Sequence, residues 1–378
     1  MNFKRYLVLG TGVGEAIAHA LLASSGNKSV TIADVDFIRA RDVVDNIRKL
    51  VGRQCVCIPM EFTVGDQNTH LIFQNYDAVI SALPAKYNPE LAKAAIRVNV
   101  HFCDLGGVVE VTNQMMALNK ECPEMKVSII PDCGLMPGLG VILAKKLLKE
   151  FDQAQDIEIL VGGLPQKPRP PVYYQKVFSI EGLKHICYNK VPVLKNNTVE
   201  FEEPFSRLEE ITVPELKQFS RLFDGDVEIF ATSGASIAPW TFKKWGVKNF
   251  VEKTVRWPGF VKFVQNIPEK EFVKLVEPHI SIPVNADNPD LVWMQVRATG
   301  LVNGNSVSRS YELLDRFDVK TGFSAMKRTT GFTTAVIAEM MTEGKTKTGI
   351  NTPEDAFDDS GINETIDRVS GLLTLKEN

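Results

Sequence analysis

The feature that most constrains the fold is Gly10-Thr11-Gly12-Val13-Gly14, set between an apolar run, Tyr6 to Leu9, and a stretch where Ile17, Ala20 and Leu21 recur at helical spacing. Glycines at alternate positions, where a strand gives way to a helix, describe a turn too tight for side chains. A second apolar run, Val30 to Ala33, follows and ends at Asp34.

The alternation continues. Cys55 to Met60, Ala78 to Leu83, His101 to Asp104 and Val127 to Pro131 read as strands. Asn88-Pro89-Glu90 reads as a helix start, with a capping residue, a proline at the first position and an early acid. Strands alternating with helices predict an α/β fold, a doubly wound parallel sheet of Rossmann type. After Pro137-Gly138 the texture changes. Leu139 to Phe151 predicts a helix; Ile157 to Val161, Tyr173 to Phe178 and Val191 to Leu194 predict strands. Asn196-Asn197 predicts a hairpin turn into Val199 to Phe201. Gly331 to Met341 is helical again, with Phe332, Ala335, Val336 and Met340 on one face. The expected division is a dinucleotide-binding domain over 1–135, an α+β substrate and dimerisation domain over 136–322, and a helical return to the first domain with a peripheral acidic tail over 323–378.

In a doubly wound sheet such a glycine turn serves a dinucleotide. The backbone of Gly10, Gly12, Val13 and Gly14 approaches the pyrophosphate, and the following helix offers unpaired N–H groups to it. A carboxylate at Asp34 accepts hydrogen bonds from both ribose hydroxyls and repels a 2′-phosphate, so NAD is expected over NADP. Arg39 and Arg41 weaken that preference. Ala82-Leu83-Pro84 closes a strand and is expected beside the cofactor, or else is an ordinary strand-ending turn. The spacing is GxGxG, with Glu15 where GxGxxG has its third glycine. Either the turn is one residue shorter, or the Glu15 carboxylate lies near the phosphates.

Charge and cysteine content exclude several classes. The net charge is −3, with no basic stripe for nucleic acid or an acidic membrane. The longest apolar runs fall short of a membrane span. The chain enters its first strand without a signal region, so a cytoplasmic protein is expected. The six cysteines form no CxxC, and the five histidines have no metal-ligand spacing, so no metal is expected. Among them, Cys133 is expected to be a buried thiol rather than a nucleophile. No HExxH, GxSxG or P-loop appears.

Several segments carry a resemblance: Cys103-Asp104-Leu105-Gly106-Gly107, Ile130 to Gly138, Val161 to Pro165, Pro170 to Tyr174, Thr232-Ser233-Gly234, Thr254 to Gly259 and Arg328 to Phe332. In this order they resemble the saccharopine dehydrogenase-like proteins, and most closely those that oxidise the ε-amine carbon of L-lysine. The resemblance implies a Rossmann domain, a second domain for substrate and dimerisation, and NAD-dependent conversion of lysine to a semialdehyde that cyclises to a piperideine carboxylate, with ammonia released. A homodimer and a small amino-acid substrate are implied too. Saccharopine or a carboxylated polyamine is the alternative substrate, and a non-catalytic NAD-binding protein the remaining one.

The chemistry sets requirements. The amine must be neutral when hydride leaves, so a base is needed within hydrogen-bond reach. Asp104 and Asp132 each end a strand, and either suits the base; the bland reading is that each caps a loop. Tyr174 is a further proton-transfer candidate, or a core tyrosine. An arginine fork suits the substrate carboxylate. The resemblance places Arg256 there; Arg328, before the returning helix, is second. A structural ion pair is the competing reading for both.

Overall fold

The computed structural model describes residues 3–122 and 124–378. The chain divides into two compact units: one holds residues up to 142 and 327–372, the other 143–326 and 373–378.

The first unit is built on a parallel sheet. Its strands are β1 (Lys4–Leu9), β2 (Lys28–Asp34), β3 (Val56–Glu61), β4 (Ala78–Ser81), β5 (His101–Asp104) and β6 (Ser128–Ile130). With the short Gly349–Ile350 strand beside β6, the order is Gly349–Ile350, β6, β5, β4, β1, β2, β3. Every pairing is parallel. Chain order reverses between β1 and β4, and ligands of such sheets bind beyond the carboxyl ends of the strands at that reversal. The register brings Leu9 opposite both Ala33 and Ser81, so Gly10, Asp34 and Ala82 emerge at one edge. Strands buried on both faces read as continuous apolar runs, as in Leu7-Val8-Leu9 and Val79-Ile80.

The returning helix, Ala325–Thr342, packs on the Gly14–Ala23 helix. A Cβ at Gly331 would stand 2.8 Å from that of Ala16, so glycine sets the approach of the two backbones. The acidic tail is not peripheral. Phe357, Ile362, Ile366 and Val369 are all buried. The last three form one face of the Asp359–Ser370 helix, whose outer acids disguise it in the sequence.

The second unit is a mixed sheet. Its strands are β7 (Gln153–Pro165), β8 (Val191–Lys195), β9 (Thr198–Glu202), β10 (Glu209–Thr212), β11 (Asp226–Ala231), β12 (Asn249–Arg256), β13 (Asp290–Val302) and β14 (Asn305–Arg316). The order is β10, β11, β12, β7, β13, β14 and the terminal Leu375–Glu377 strand, with β8 pairing β12 and β9. The Asn196-Asn197 turn forms as expected, both residues at positive φ. The expected strand over Tyr173 to Phe178 does not. Tyr173 has a φ of 53°, which breaks an extended run, and the segment enters the Ile180–Tyr188 helix instead.

Candidate functional site

The glycine turn of the first unit has a distinct reason at each glycine. Gly10 has a φ of 97°, donates its N–H to Ala33 O at 2.7 Å, and leaves room for no side chain, since a Cβ would lie 2.8 Å from Ala82 O. At Gly12 a Cβ would meet nothing within 4 Å, so this is the open side of the turn. Gly14 begins the helix, and a Cβ there would lie 2.9 Å from Val8 Cγ1. Gly14 thus provides the close helix–strand packing of a third glycine, and the turn is one residue shorter. Val13, at the N-cap, offers no side-chain hydrogen bond to the helix end. The Glu15 carboxylate is engaged elsewhere: it accepts from Asn46 Nδ2 at 2.6 Å and from Lys327 Nζ at 2.7 Å.

Asp34 is held in place by its neighbours. Its Oδ2 accepts from Thr11 Oγ1 at 2.7 Å and Thr11 N at 3.2 Å, and its Oδ1 from Asp36 N at 3.1 Å. Partial burial opposes ionisation, but these hydrogen bonds outweigh it and keep the carboxyl below its ordinary pKa. Arg39 and Arg41 pair with Asp36 at 3.3 Å and Asp42 at 3.2 Å. The Ala82 carbonyl closes against Gly10, and the side chain of Leu83 lies beside it. Pro84 leads into a short 3₁₀ turn. Asn88 does not cap its helix; it accepts a buried hydrogen bond from Ser81 Oγ at 2.8 Å. Open backbone at Gly12, an uncapped helix N-terminus and an ionised Asp34 fit an adenine dinucleotide.

A second group lies at the ends of β5 and β6. Asp104 is buried. Its Oδ1 accepts from Gly106 N at 2.7 Å and Asp132 N at 3.2 Å, while its buried Oδ2 has no partner. Burial, then the Asp132 charge, push its pKa up to about 8. Asp132 has a φ of 66°, and its Oδ1 accepts from Gly107 N at 3.0 Å and Thr112 Oγ1 at 3.1 Å. A Cβ at Gly106 would fall 1.8 Å from that oxygen, which is why the two resemblance-bearing segments meet at a glycine. Glu354, buried beside them and unsuspected from sequence, is pushed up to about 7 by burial, with Asp355 and Asp132 adding to it. The Cys133 thiol is buried, and burial pushes it well above its ordinary pKa. Arg328 stacks on Phe332 at 5.1 Å and donates to Leu372 O at 3.4 Å.

In the second unit, Arg256 ends β12 and is only 2% exposed. Its guanidinium lies over Tyr174 at 4.7 Å and Phe260 at 5.4 Å. Nη1 donates to Val255 O at 2.8 Å; the buried Nε has no acceptor. Among the described residues no carboxylate stands within ion-pair distance of it. Burying a charge without a counter-ion at ion-pair distance is costly. The Tyr174 phenol is pushed by burial up to about 12, the Arg256 charge working against that; it forms a platform beneath the guanidinium. Glu228 fixes the turn after Arg256, accepting from Gly259 N at 2.8 Å and Val261 N at 3.0 Å.

Sequence reasoning missed Glu252. It lies four residues before Arg256 and so on the same face of β12. It is 2% exposed; its Oε2 accepts from Gly234 N at 3.2 Å and from Thr232 Oγ1. Burial raises its pKa to about 7 against these bonds and the Arg256 charge. Among the described residues no His, Cys, Asp and Glu cluster suits a metal ion, and no helix is long and apolar enough to cross a membrane.

The parallel sheet with its glycine turn and terminal acid defines a Rossmann dinucleotide-binding unit joined to a mixed-sheet unit. Residues 6–130 match the saccharopine dehydrogenase NADP binding domain, and residues 134–371 the saccharopine dehydrogenase C-terminal domain; the chain belongs to the saccharopine dehydrogenase family. Mouse mitochondrial alpha-aminoadipic semialdehyde synthase is 28% identical over 171 residues, 43% of this chain and 17% of that protein. The saccharopine dehydrogenase [NADP(+), L-glutamate-forming] of Saccharomyces cerevisiae is 23% identical over 203 residues, 52% of this chain and 43% of that protein. These matches thus span less than half of the relatives' own length. The solved apo saccharopine dehydrogenase (L-Glu forming) of Saccharomyces cerevisiae superposes with a TM-score of 0.75 at 15% identity, covering 99% of this chain and 100% of that one. The homospermidine synthase of Legionella pneumophila, solved with NAD, gives 0.71 at 12% identity, covering 99% and 91%. At such identities the likeness is one of fold.

Proposed function

We propose that this protein is an NAD-dependent oxidoreductase that oxidises the ε-amine carbon of L-lysine to the semialdehyde and releases ammonia. The observation that carries the reading is the buried Arg256 guanidinium, stacked on Tyr174 and lacking a carboxylate of its own. It supplies the fork for a substrate α-carboxylate. Among the described residues it is the only arginine that is buried, which favours a substrate with one carboxylate to anchor over saccharopine, which has more.

In the first unit Asp34 selects the cofactor. Its carboxylate accepts ribose hydroxyls and repels a 2′-phosphate, which favours NAD although the matched family model carries NADP in its description. When bound, the nicotinamide ring accepts the hydride. Asp104 serves as the base: with a pKa near 8 and a free buried Oδ2 it takes one proton from the ε-ammonium, leaving a neutral amine. Asp132 holds Asp104 through its backbone N–H and raises its basicity by its charge. Loss of hydride leaves the substrate as an iminium; water adds to that carbon, ammonia departs, and the aldehyde closes on the α-amine to the cyclic piperideine carboxylate. Once Asp104 has passed its first proton to solvent, its carboxylate is suited to accept the one that the adding water sheds. A homodimer formed through the second unit, in the cytoplasm, completes the reading.

The test follows reduced cofactor at fixed protein with L-lysine or saccharopine, each with NAD or NADP. Lysine with NAD is expected to turn over fastest. Turnover of saccharopine alone would move the protein to secondary amines, and tight NAD binding without any turnover would make it a non-catalytic binder.

A further inference from the structure

Arg256 is not alone on its strand face. Glu252 shares that face, and the Thr232-Ser233-Gly234 turn folds over it, with Thr232 Oγ1 and Gly234 N both bonded to Oε2. Ser233 Oγ between them is buried and has no partner. Four residues along a strand separate the Cα atoms by about 13 Å. The Arg256 guanidinium turns back along the chain to Val255 O, and its charge is felt at Glu252. The two side chains of opposite sign thus share one strand face, close enough for the charge to act, without forming an ion pair.

We infer that Glu252 and Ser233 form an ammonium subsite, which together with Arg256 recognises the zwitterionic head of an α-amino acid. Arg256 takes the α-carboxylate; Glu252 accepts from the α-ammonium, and Ser233 Oγ gains the partner it lacks. This deepens the proposed function and rests on it for the substrate. A carboxylate that only held the Thr232–Gly234 turn would need neither the buried arginine on the same face nor an unpartnered hydroxyl beside it. The subsite would distinguish an α-amino acid from an ω-amino acid of equal length.

The experiment compares L-lysine with 6-aminohexanoate, which keeps the carboxylate and the reacting amine but has no α-ammonium. The wild type is expected to prefer lysine by roughly 30-fold or more in kcat/KM, and Glu252→Gln to bring that ratio close to one, mainly through the KM for lysine. Glutamine keeps an oxygen for Thr232 and Gly234, so the melting temperature should stay near that of the wild type. Ser233→Ala is expected to lower the ratio less. An unchanged ratio in Glu252→Gln, or equal losses on both substrates, overturns the subsite. If the wild type turns over no lysine, the functional reading fails; calorimetric binding of L-norleucine, which has the head group and no ε-amine, then tests the subsite separately. Binding that Glu252→Gln abolishes supports it, and binding that is absent or indifferent to the variant overturns it.

Discussion

Replacing Arg256 by methionine separates binding from stability. The guanidinium would lose one hydrogen bond to Val255 O, about 1 kcal/mol, and its stacking on Tyr174 and Phe260, about 1–2 kcal/mol. Against this, the fold no longer buries an uncompensated charge with an unsatisfied Nε–H, a relief of about 1–3 kcal/mol. The terms nearly cancel, so Arg256→Met should unfold within about 1 kcal/mol of the wild type. Substrate binding should not be spared. A bidentate guanidinium–carboxylate contact in a buried site is worth about 3 kcal/mol or more, which is about 150-fold in affinity. The anchor is far from the reacting carbon in the substrate, so the loss should fall on KM more than on kcat. Urea titration and steady-state kinetics with L-lysine read the two effects. A variant destabilised by more than about 3 kcal/mol with KM unchanged would show the arginine to be structural and refute the reasoning.

Other positions give further outcomes. Asp34→Asn removes a negative charge that repels a 2′-phosphate, worth about 1–2 kcal/mol at a partly exposed site, so the NAD to NADP ratio of kcat/KM should fall about 10-fold. The kcat/KM of the wild type should rise with pH through about 8 as Asp104 ionises, and Asp104→Asn should lose that limb along with most activity. The same shift has a consequence for stability. Because the folded pKa lies above the ordinary value, the folded protein binds the extra proton between about pH 4 and pH 8, and stability drains as pH rises through that window. The stability of Asp104→Asn relative to the wild type should therefore increase from pH 4 to pH 8, as denaturant midpoints would show. Gly10→Ala places a Cβ 2.8 Å from Ala82 O at positive φ and should weaken NAD binding measured by calorimetry. In the second unit Asp290 accepts from Ala325 N at 2.8 Å and Met326 N at 3.1 Å, so Asp290→Ala should cost about 1–2 kcal/mol, read by urea titration.

Local rules made much of the first unit legible. The glycine turn, the apolar strands and Asp34 follow one another as a parallel sheet requires, and the Asn196-Asn197 hairpin announced itself by composition. What escaped depends on contacts between distant segments. The Tyr173 to Phe178 run has the residues of a strand, but Tyr173 turns into the left-handed region. Glu354 and Glu252 look like surface acids; only the fold buries them and raises their pKa. The period-two spacing of Glu252 and Arg256 was visible, yet two charged residues read as a solvated strand face until β12 was known to be buried on both sides. Gly14 taking the third glycine's role rested on its distance to Val8, which spacing alone could not supply.

Oxidation at the ε-amine carbon distinguishes the proposed reaction from every other oxidation of lysine. The most direct measurement supplies NAD with L-lysine deuterated at that carbon and examines the reduced cofactor by mass spectrometry. Hydride loss from that carbon carries one deuterium into the cofactor, with ammonia released in equal amount. Reduced cofactor without label, or label carried only from lysine deuterated at the α-carbon, would contradict it.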